Sequence, residues 1–350
     1  EHSSFTGKMS SGSVYSVPNP PKEIQHFTWA KGHAGEVMSG TVTAGNVLEL
    51  WVYYTRNEYS YKVQYLDQVT GLPVLAEKNG TAKWEAQVTE KAVDVNGYEL
   101  LGNKTYTLTI SDNSLENVIT FYYVKDVTIK YQVVGPTGCG SVDAPAETIG
   151  ASTGKANGST ATASSNVYKF VGWYLDADCK NAVPEEWVSE NRIKPQKPGE
   201  FWVNVTYYAK FEYNLTSLTI DKVFPDGADY SMDINQSFLF DIVEVDESGN
   251  VVSNGVNLTV TIHKDGSIKI DGMTVGHRYK ITEKTDWSWR YGKCAPSSNL
   301  AGSKVSGNSI TVKLSADAAA NKVTFTNERT YKYWLDGDDY NVNIFKKKDK

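Results

Sequence analysis

Short runs that alternate apolar and polar residues, rich in β-branched and aromatic side chains, recur along the chain and predict β-strands. Three of them carry an anomaly. In LTIDKV, Leu218, Ile220 and Lys222 fall on one face; in YKITEK, Tyr279, Ile281 and Glu283 do; in VTFTNE, Val323, Phe325 and Asn327 do. A strand's side chains alternate between two faces, so Lys222, Glu283 and Asn327 are predicted to point with the apolar residues into a core. Lysine and glutamate are almost never fully buried without compensation.

A lysine, an acid and an asparagine facing one dry core suggest a reaction. Burial lowers a lysine pKa and raises that of a carboxylic acid. A neutral Lys222 amine is a nucleophile. A protonated Glu283 would donate to the Asn327 side-chain carbonyl and shuttle protons. Attack then expels ammonia and leaves a Lys222–Asn327 isopeptide bond, with proximity supplied by the fold at effective molarities of about 10⁵ M or more. It happens once, on the protein itself. The alternative makes Lys222 an edge-strand solvent lysine, Asn327 a turn former and Glu283 an exposed charge; the inward parity favours the reaction.

The alternating runs also repeat. Trp51–Leu66, Thr120–Val134 and Val205–Ile220 each hold an apolar strand ending in a Tyr-Tyr pair, a short polar link with a basic residue and a new alternating strand. The last strand of one unit leads into the first strand of the next. Links of a few residues restrict domain movement, which predicts a stiff, elongated stalk. Five segments are expected: an N-terminal partial β domain (1–57), units at 58–125, 126–214 and 215–332, and a tail or linker (333–350). Residues up to about 24 are Ser, Gly and Pro rich and read as irregular. Thr41–Tyr54 reads as a hairpin around Ala44-Gly45-Asn46.

Each unit carries a resemblance. The span from about Ser217 to Thr330, with its TIDK, YKITE and FTNE strands in that order, resembles a collagen-adhesin B-type (Cna B-type) domain of Gram-positive surface proteins. This implies an Ig-like β-sandwich with Lys222 as nucleophile, Asn327 as electrophile and Glu283 as catalytic acid. The unit from Glu58 to Lys125, with YKVQYLDQVTG, NGYELL and VITFYY, resembles a mucin-binding-protein (MucBP) domain, implying a β-grasp-like sheet packed on a short helix. The unit from Asp126 to Tyr213, with YKFVGWYLDADCKNAV and VTYYAKFE, resembles an internalin-type B repeat. There Phe170, Trp173 and Tyr174 would be core or near-core aromatics and Gly172 would serve a bend or close approach. A Gly/Ser/Thr/Ala-rich insertion after Thr137 reads as loop. The expected fold is therefore mainly β and multidomain: tandem β-grasp-like repeats followed by an Ig-like sandwich.

Composition narrows function. The net charge is −6 and the only basic block is Lys346–Lys348, which argues against nucleic acid. No apolar run is long enough to span a membrane, and neither a signal peptide nor an LPxTG-like sorting motif is present. Tyrosine is abundant, at 22 residues, in keeping with a β-rich surface protein. Cys139, Cys179 and Cys294 lack nearby histidines and make no metal site. Cys139 and Cys179 share a unit, which admits a disulfide; the odd count leaves one thiol over, assigned to Cys294, and a buried free cysteine is the alternative. Trp287, Trp289 and Tyr291 share a strand face and suit sugar stacking or, more commonly, core packing. Asp336, Asp338 and Asp339 offer oxygen ligands but no complete EF-hand. No nucleophile–histidine–acid set, phosphate-binding loop or zinc motif appears, so no enzyme with turnover and no cofactor are expected. The reading is an extracellular, cell-surface adhesin or stalk segment, whose partners would be a host or environmental glycan or protein, or neighbouring copies of itself. The alternatives are a polymerising pilin subunit using strand addition, or a glycan- or mucin-binding module.

Overall fold

The computed structural model describes residues 7–225, 236–285 and 291–329. The protein is mainly β and multidomain, and the one helical element among the described residues is a single 3-10 turn, Glu185–Trp187. The chain forms two compact units. One comprises Glu1–Thr128, Thr148–Lys155 and Lys197–Asn204; the other comprises Ile129–Glu147, Ala156–Gln196 and Val205–Lys350.

In the first unit, residues 7–57 form two small antiparallel pairings, Val14–Ser16 with Ser39–Thr41 and Phe27–Trp29 with Tyr54–Arg56. The hairpin expected around Ala44–Asn46 is absent. Asn46 N donates to Thr43 O and Gly45 has a positive φ, so the turn forms, and the two arms meet at one antiparallel bridge, Val37 with Trp51, but no ladder joins them: Ser39–Thr41 and Tyr54–Arg56 pair with earlier segments. One of those partners, Val14–Ser16, lies in the stretch read as irregular.

The main sheet of this unit has the order Lys78–Lys83, Glu58–Asp67, Val118–Lys125, Tyr98–Leu101. Its alternation buries Val63 and Tyr65 on Glu58–Asp67 and Ile119, Phe121 and Tyr123 on Val118–Lys125. No helix covers this face. A two-stranded ribbon, Gln87–Lys91 with Thr105–Thr109, packs there through Leu108 and Tyr106, the latter ring 5.4 Å from Phe121. The threonine-rich alternation of QVTEK and TYTLT suits a half-buried ribbon and not a helix. The turn after Glu58–Asp67 is built by Asp67, whose Oδ1 accepts from the backbone of Val69 and Thr70 at 2.8 Å each.

The second unit holds two sheet systems. One has the order Ala146–Ile149, Val127–Val134, Val205–Tyr213, Tyr168–Tyr174. Trp173 is buried, and Gly172 sits at a β-bulge opposite Lys210. The insertion read as loop instead supplies strands: Gly140–Val142 and Ser159–Ala163 join a small sheet with Arg192–Ile193 and Val188–Ser189. Its residues are small enough for tight strand contacts, with Ser159 and Ala161 fully buried. Gly158 lies at φ +82°, where an added Cβ would stand 1.8 Å from the Ile193 carbonyl oxygen, so only glycine fits.

The other system is a β-sandwich. One sheet runs Gly266–Thr274, Leu215–Val223, Lys322–Arg329, Tyr291–Ser298; the facing sheet runs Asn257–His263, Ser237–Val245, Arg278–Glu283, Ser309–Lys313, Lys304–Ser306. Their inner faces share one core that includes Leu218, Ile220, Phe240, Ile281, Val323 and Phe325. Only Asn214 separates Leu215–Val223 from Val205–Tyr213, and its backbone is tied on both sides, N to Val167 O at 2.7 Å and O to Val275 N at 2.9 Å.

The opening and closing strands pair in parallel three times: Glu58–Asp67 with Val118–Lys125, Val127–Val134 with Val205–Tyr213, and Leu215–Val223 with Lys322–Arg329. Parallel neighbours make the chain enter at one end of the sheet and leave at the other. A buried asparagine secures the loop before the closing strand in two cases. Asn117 Oδ1 accepts from Ser111 N and Oγ, and its Nδ2 donates to Ser111 O and Ser60 O. Asn321 repeats this with Ser315 N, Oγ and O, and donates to Thr216 Oγ1. Each amide uses its full hydrogen-bonding capacity. Asn117→Ala leaves three part-buried backbone groups, Ser111 N, Ser111 O and Ser60 O, without this partner and is expected to cost about 3 kcal/mol. Urea unfolding checks this, and a cost below about 1 kcal/mol would assign the loop's order to its backbone.

Candidate functional site

Lys222 is 1 % exposed; Glu283 and Asn327 are 0 % exposed. The sandwich brings all three together. Lys222 and Asn327 lie on adjacent parallel strands of one sheet, with Lys222 opposite Phe325 and Val223 opposite Thr326. Glu283 ends a strand of the facing sheet, its backbone held there by Asn308: Glu283 N donates to Asn308 O, and Asn308 Nδ2 donates to Glu283 O. The carboxyl therefore enters the core from the opposite layer and meets both partners. Lys222 Nζ stands 3.7 Å from Glu283 Oε2, and Asn327 Nδ2 donates to Glu283 Oε1 at 2.5 Å. Lys222 Nζ also reaches the Phe325 carbonyl oxygen at 3.4 Å.

The surroundings are apolar and aromatic. Lys222 Nζ lies 4.5 Å from the centroid of the Phe238 ring and 5.3 Å from that of Phe224. Phe240, opposite Glu283 in register, packs on Phe325 with centroids 4.9 Å apart. Burial lowers the Lys222 pKa to about 8, against the opposing pull of Glu283. Ring faces favour a nearby ammonium, but burial dominates, so about a tenth of the amine is neutral at pH 7, far more than for a lysine of ordinary pKa.

One detail departs from the sequence reading. The Asn327 group facing Glu283 is its amide nitrogen and not its carbonyl. That nitrogen is the atom that would leave as ammonia. The two carboxyl oxygens thus serve different partners, one facing the amine and the other the amide nitrogen.

Cys294 is the residue that sequence reasoning set aside. It lies directly opposite Asn327 on the neighbouring antiparallel strand, and its thiol donates to Glu283 Oε2 at 3.3 Å. The signal available was that parity: counting outward from a pairing of the two strands would have placed Cys294 on the asparagine's face. Tyr291, expected on an aromatic stripe, is 7 % exposed and packs between Phe224 and Phe238, with ring centroids 5.9 and 5.3 Å away. Trp287 and Trp289, and Asp336, Asp338 and Asp339, lie outside the described residues.

Of the two readings the sequence left open for Cys139 and Cys179, a disulfide or free cysteines, the structure has both as free thiols. Cys139 is buried beside Gly135, while Cys179 sits in the Asp176–Asn181 turn with its Sγ 3.8 Å from Ala177 O. Asp176 builds that turn by accepting from the backbone of Lys180 and Asn181, which fixes Cys179 locally. Among the described residues, no group of three His, Cys, Asp or Glu is placed to hold a metal ion, and no helix is long and apolar enough to cross a membrane.

The first unit offers an internal comparison. Lys62 N donates to Asn117 O as Thr219 N donates to Asn321 O, which sets the two parallel pairs in the same register. Three residues further on, Tyr65 stands where Lys222 does. On the closing strands, Tyr123 stands where Asn327 does. Tyr65 stacks on Phe121 at 6.0 Å, and Tyr123 Oη donates to Val93 O. The topology accepts an aromatic filling at this position, so Lys222 and Asn327 are not imposed by the fold.

A family described as a domain of unknown function (DUF5979) matches residues 218–330, the whole described sandwich core. No curated protein matches the chain. Solved structures with loose similarity include a bacterial adhesin from Mobiluncus mulieris containing intramolecular disulfide, isopeptide and ester bond cross-links, with 12% identity, 78% of this chain and 84% of that chain covered and a TM-score of 0.28. The major pilin protein from Streptococcus pyogenes shares 13% identity over 59% of this chain and 97% of its own, with a TM-score of 0.28. A pilus-presented adhesin (Cpa) shares 14% identity over 39% of this chain, with a TM-score of 0.24, and the match spans 33% of that adhesin. Similarity at this level transfers neither residues nor roles.

Proposed function

We propose that the sandwich forms an autocatalytic isopeptide bond between Lys222 and Asn327, and that the chain is a stretch of a Gram-positive cell-surface adhesin or stalk reinforced by that bond. The observation that carries the reading is the Glu283 carboxyl lying between a buried amine and a buried amide, with one oxygen toward each. Starting from the neutral amine and the neutral acid, Lys222 Nζ attacks Asn327 Cγ and passes one of its two protons to Glu283 Oε2. Glu283 delivers a proton through Oε1 to Nδ2 as the Cγ–Nδ2 bond breaks. A C–N bond forms, a C–N bond is lost and one ammonia departs; Glu283 ends as it began. Tethered chemistry of this kind needs neither cofactor nor second substrate.

The intact mass of the denatured protein tests this directly. A mass lower than the sequence by one ammonia, with a peptide joining the Lys222 and Asn327 regions after digestion, is expected. A mass equal to the sequence rejects the reading.

The pH dependence tests the acid. The ion pair and the reactive pair of neutral amine and neutral acid hold the same single proton. Above the Lys222 pKa, about 8, the pair loses that proton. The rate of ammonia loss in newly folded chains should therefore be level just below pH 8 and fall about tenfold per unit well above it. An amine acting without the acid would give the opposite sign, rising through pH 8 to a plateau.

The bond's place in the topology supports the stalk role. The sandwich is entered at Leu215 and left beyond Arg329 on parallel strands, and the bond would join those two strands. Tension applied along the chain would then pass from Lys222 to Asn327 without loading the strands between.

A further inference from the structure

Resting on that reading, we propose that Cys294 is a positioning residue for the cross-linking reaction, its thiol holding Glu283 Oε2 so that the carboxyl spans the amine and the amide. Three observations converge on it. Cys294 and Asn327 are register partners, so their side chains share the inner face of the sheet. The thiol reaches Oε2 at 3.3 Å, the same oxygen that faces Lys222. The other oxygen is already engaged by Asn327. Without the thiol the carboxyl has one firm contact and can rotate about it, swinging Oε2 away from Nζ, whose 3.7 Å separation is too long for a restraining hydrogen bond.

A thiol suits this task. Burial and the neighbouring carboxyl push its pKa up, so it stays protonated and donates. It is also a weak donor, able to orient Oε2 without strongly opposing the oxygen's capture of a proton from Lys222. Cys294 is not consumed, and no electron moves.

The test follows the full chain during cell-free synthesis, with samples quenched in acid and cross-linking read by intact mass. The variants are Cys294→Ala, Cys294→Val, which fills the thiol's space with a somewhat larger apolar group and removes the donor, and Cys294→Ser, which restores one. Wild type is expected to lose ammonia, Ala and Val to do so roughly tenfold more slowly, and Ser to recover to within about threefold. Val keeps the test open if Ala fails to fold. Ammonia loss from Val at the wild-type rate overturns the role. So does Ser as slow as Val, which would make the site one of packing alone. If wild type itself never loses ammonia, the cross-linking reading falls and takes this role with it; loss from wild type and all variants alike removes only Cys294.

Discussion

Glu283→Gln is expected to leave the chain at its full sequence mass over times in which wild type is completely cross-linked. Glutamine keeps the shape of the side chain and a polar contact with Asn327, so the packing of Phe240 and Phe325 around it survives. It cannot accept a proton from Lys222 and release one to the departing nitrogen. Loss of a positioned acid–base group slows reactions by about 10²- to 10⁴-fold. Removing the carboxylate also deprives the buried amine of its counter-charge, which holds more of Lys222 neutral. The variant thus has a more available nucleophile and no proton carrier. If it still loses ammonia at the wild-type rate, proximity alone drives the chemistry and Glu283 only balances charge. Circular dichroism showing the native strand content would confirm that the missing mass change is chemical and not a failure to fold, a control that matters because a buried charge left alone costs about 3–5 kcal/mol.

How much of this was legible in the sequence follows from which signals are local. The period-2 alternation of LTIDKV, YKITEK and VTFTNE is local, and it placed three polar side chains among apolar ones before any pairing was known. All three are buried in the structure. What alternation cannot give is which strands lie side by side. Cys294 therefore went unnoticed, because its importance depends on being opposite Asn327 across a sheet. The incomplete hairpin around Ala44–Asn46 has the same cause: its turn is local and present and its arms meet at the Val37–Trp51 bridge, whereas the ladder partners of Ser39–Thr41 and Tyr54–Arg56 lie further away in sequence. Composition misled in the insertion of the second unit, where Ser159 and Ala161 were read as loop for their smallness. In the structure that smallness lets a strand lie against its neighbours. The paired asparagine loops, Asn117 and Asn321, were visible as S-x-x-x-x-x-N before a V-I-T-F or K-V-T-F strand, but only the hydrogen bonds give the pattern its meaning.

Lys222→Met is expected to unfold the sandwich at a temperature roughly 20 °C or more below wild type, and to change its response to force altogether. Methionine keeps an unbranched apolar stem in the space among Phe224, Phe238 and Phe325, so the comparison isolates the bond. Glu283 loses its amine but keeps Asn327 and Cys294 as donors. A cross-link closing a loop of about 100 residues is worth about 4.7 kcal/mol in chain entropy, and each kcal/mol moves the melting point of a domain near this size by about 4–8 °C. Pulling on the ends gives the sharper contrast. In the variant the parallel strands Leu215–Val223 and Lys322–Arg329 shear apart and the whole sandwich pays out. At about 3.4 Å per residue, the hundred-odd residues between Lys222 and Asn327 add roughly 350 Å of contour. In wild type those residues lie behind a covalent shortcut and that extension never appears at any force short of bond rupture. Single-molecule stretching of the full chain therefore reads the bond as a missing step. The other unfolding events of the chain should occur in both proteins, so a step of that length in wild type would mean that force travels through the sandwich and that the reinforcing role is wrong.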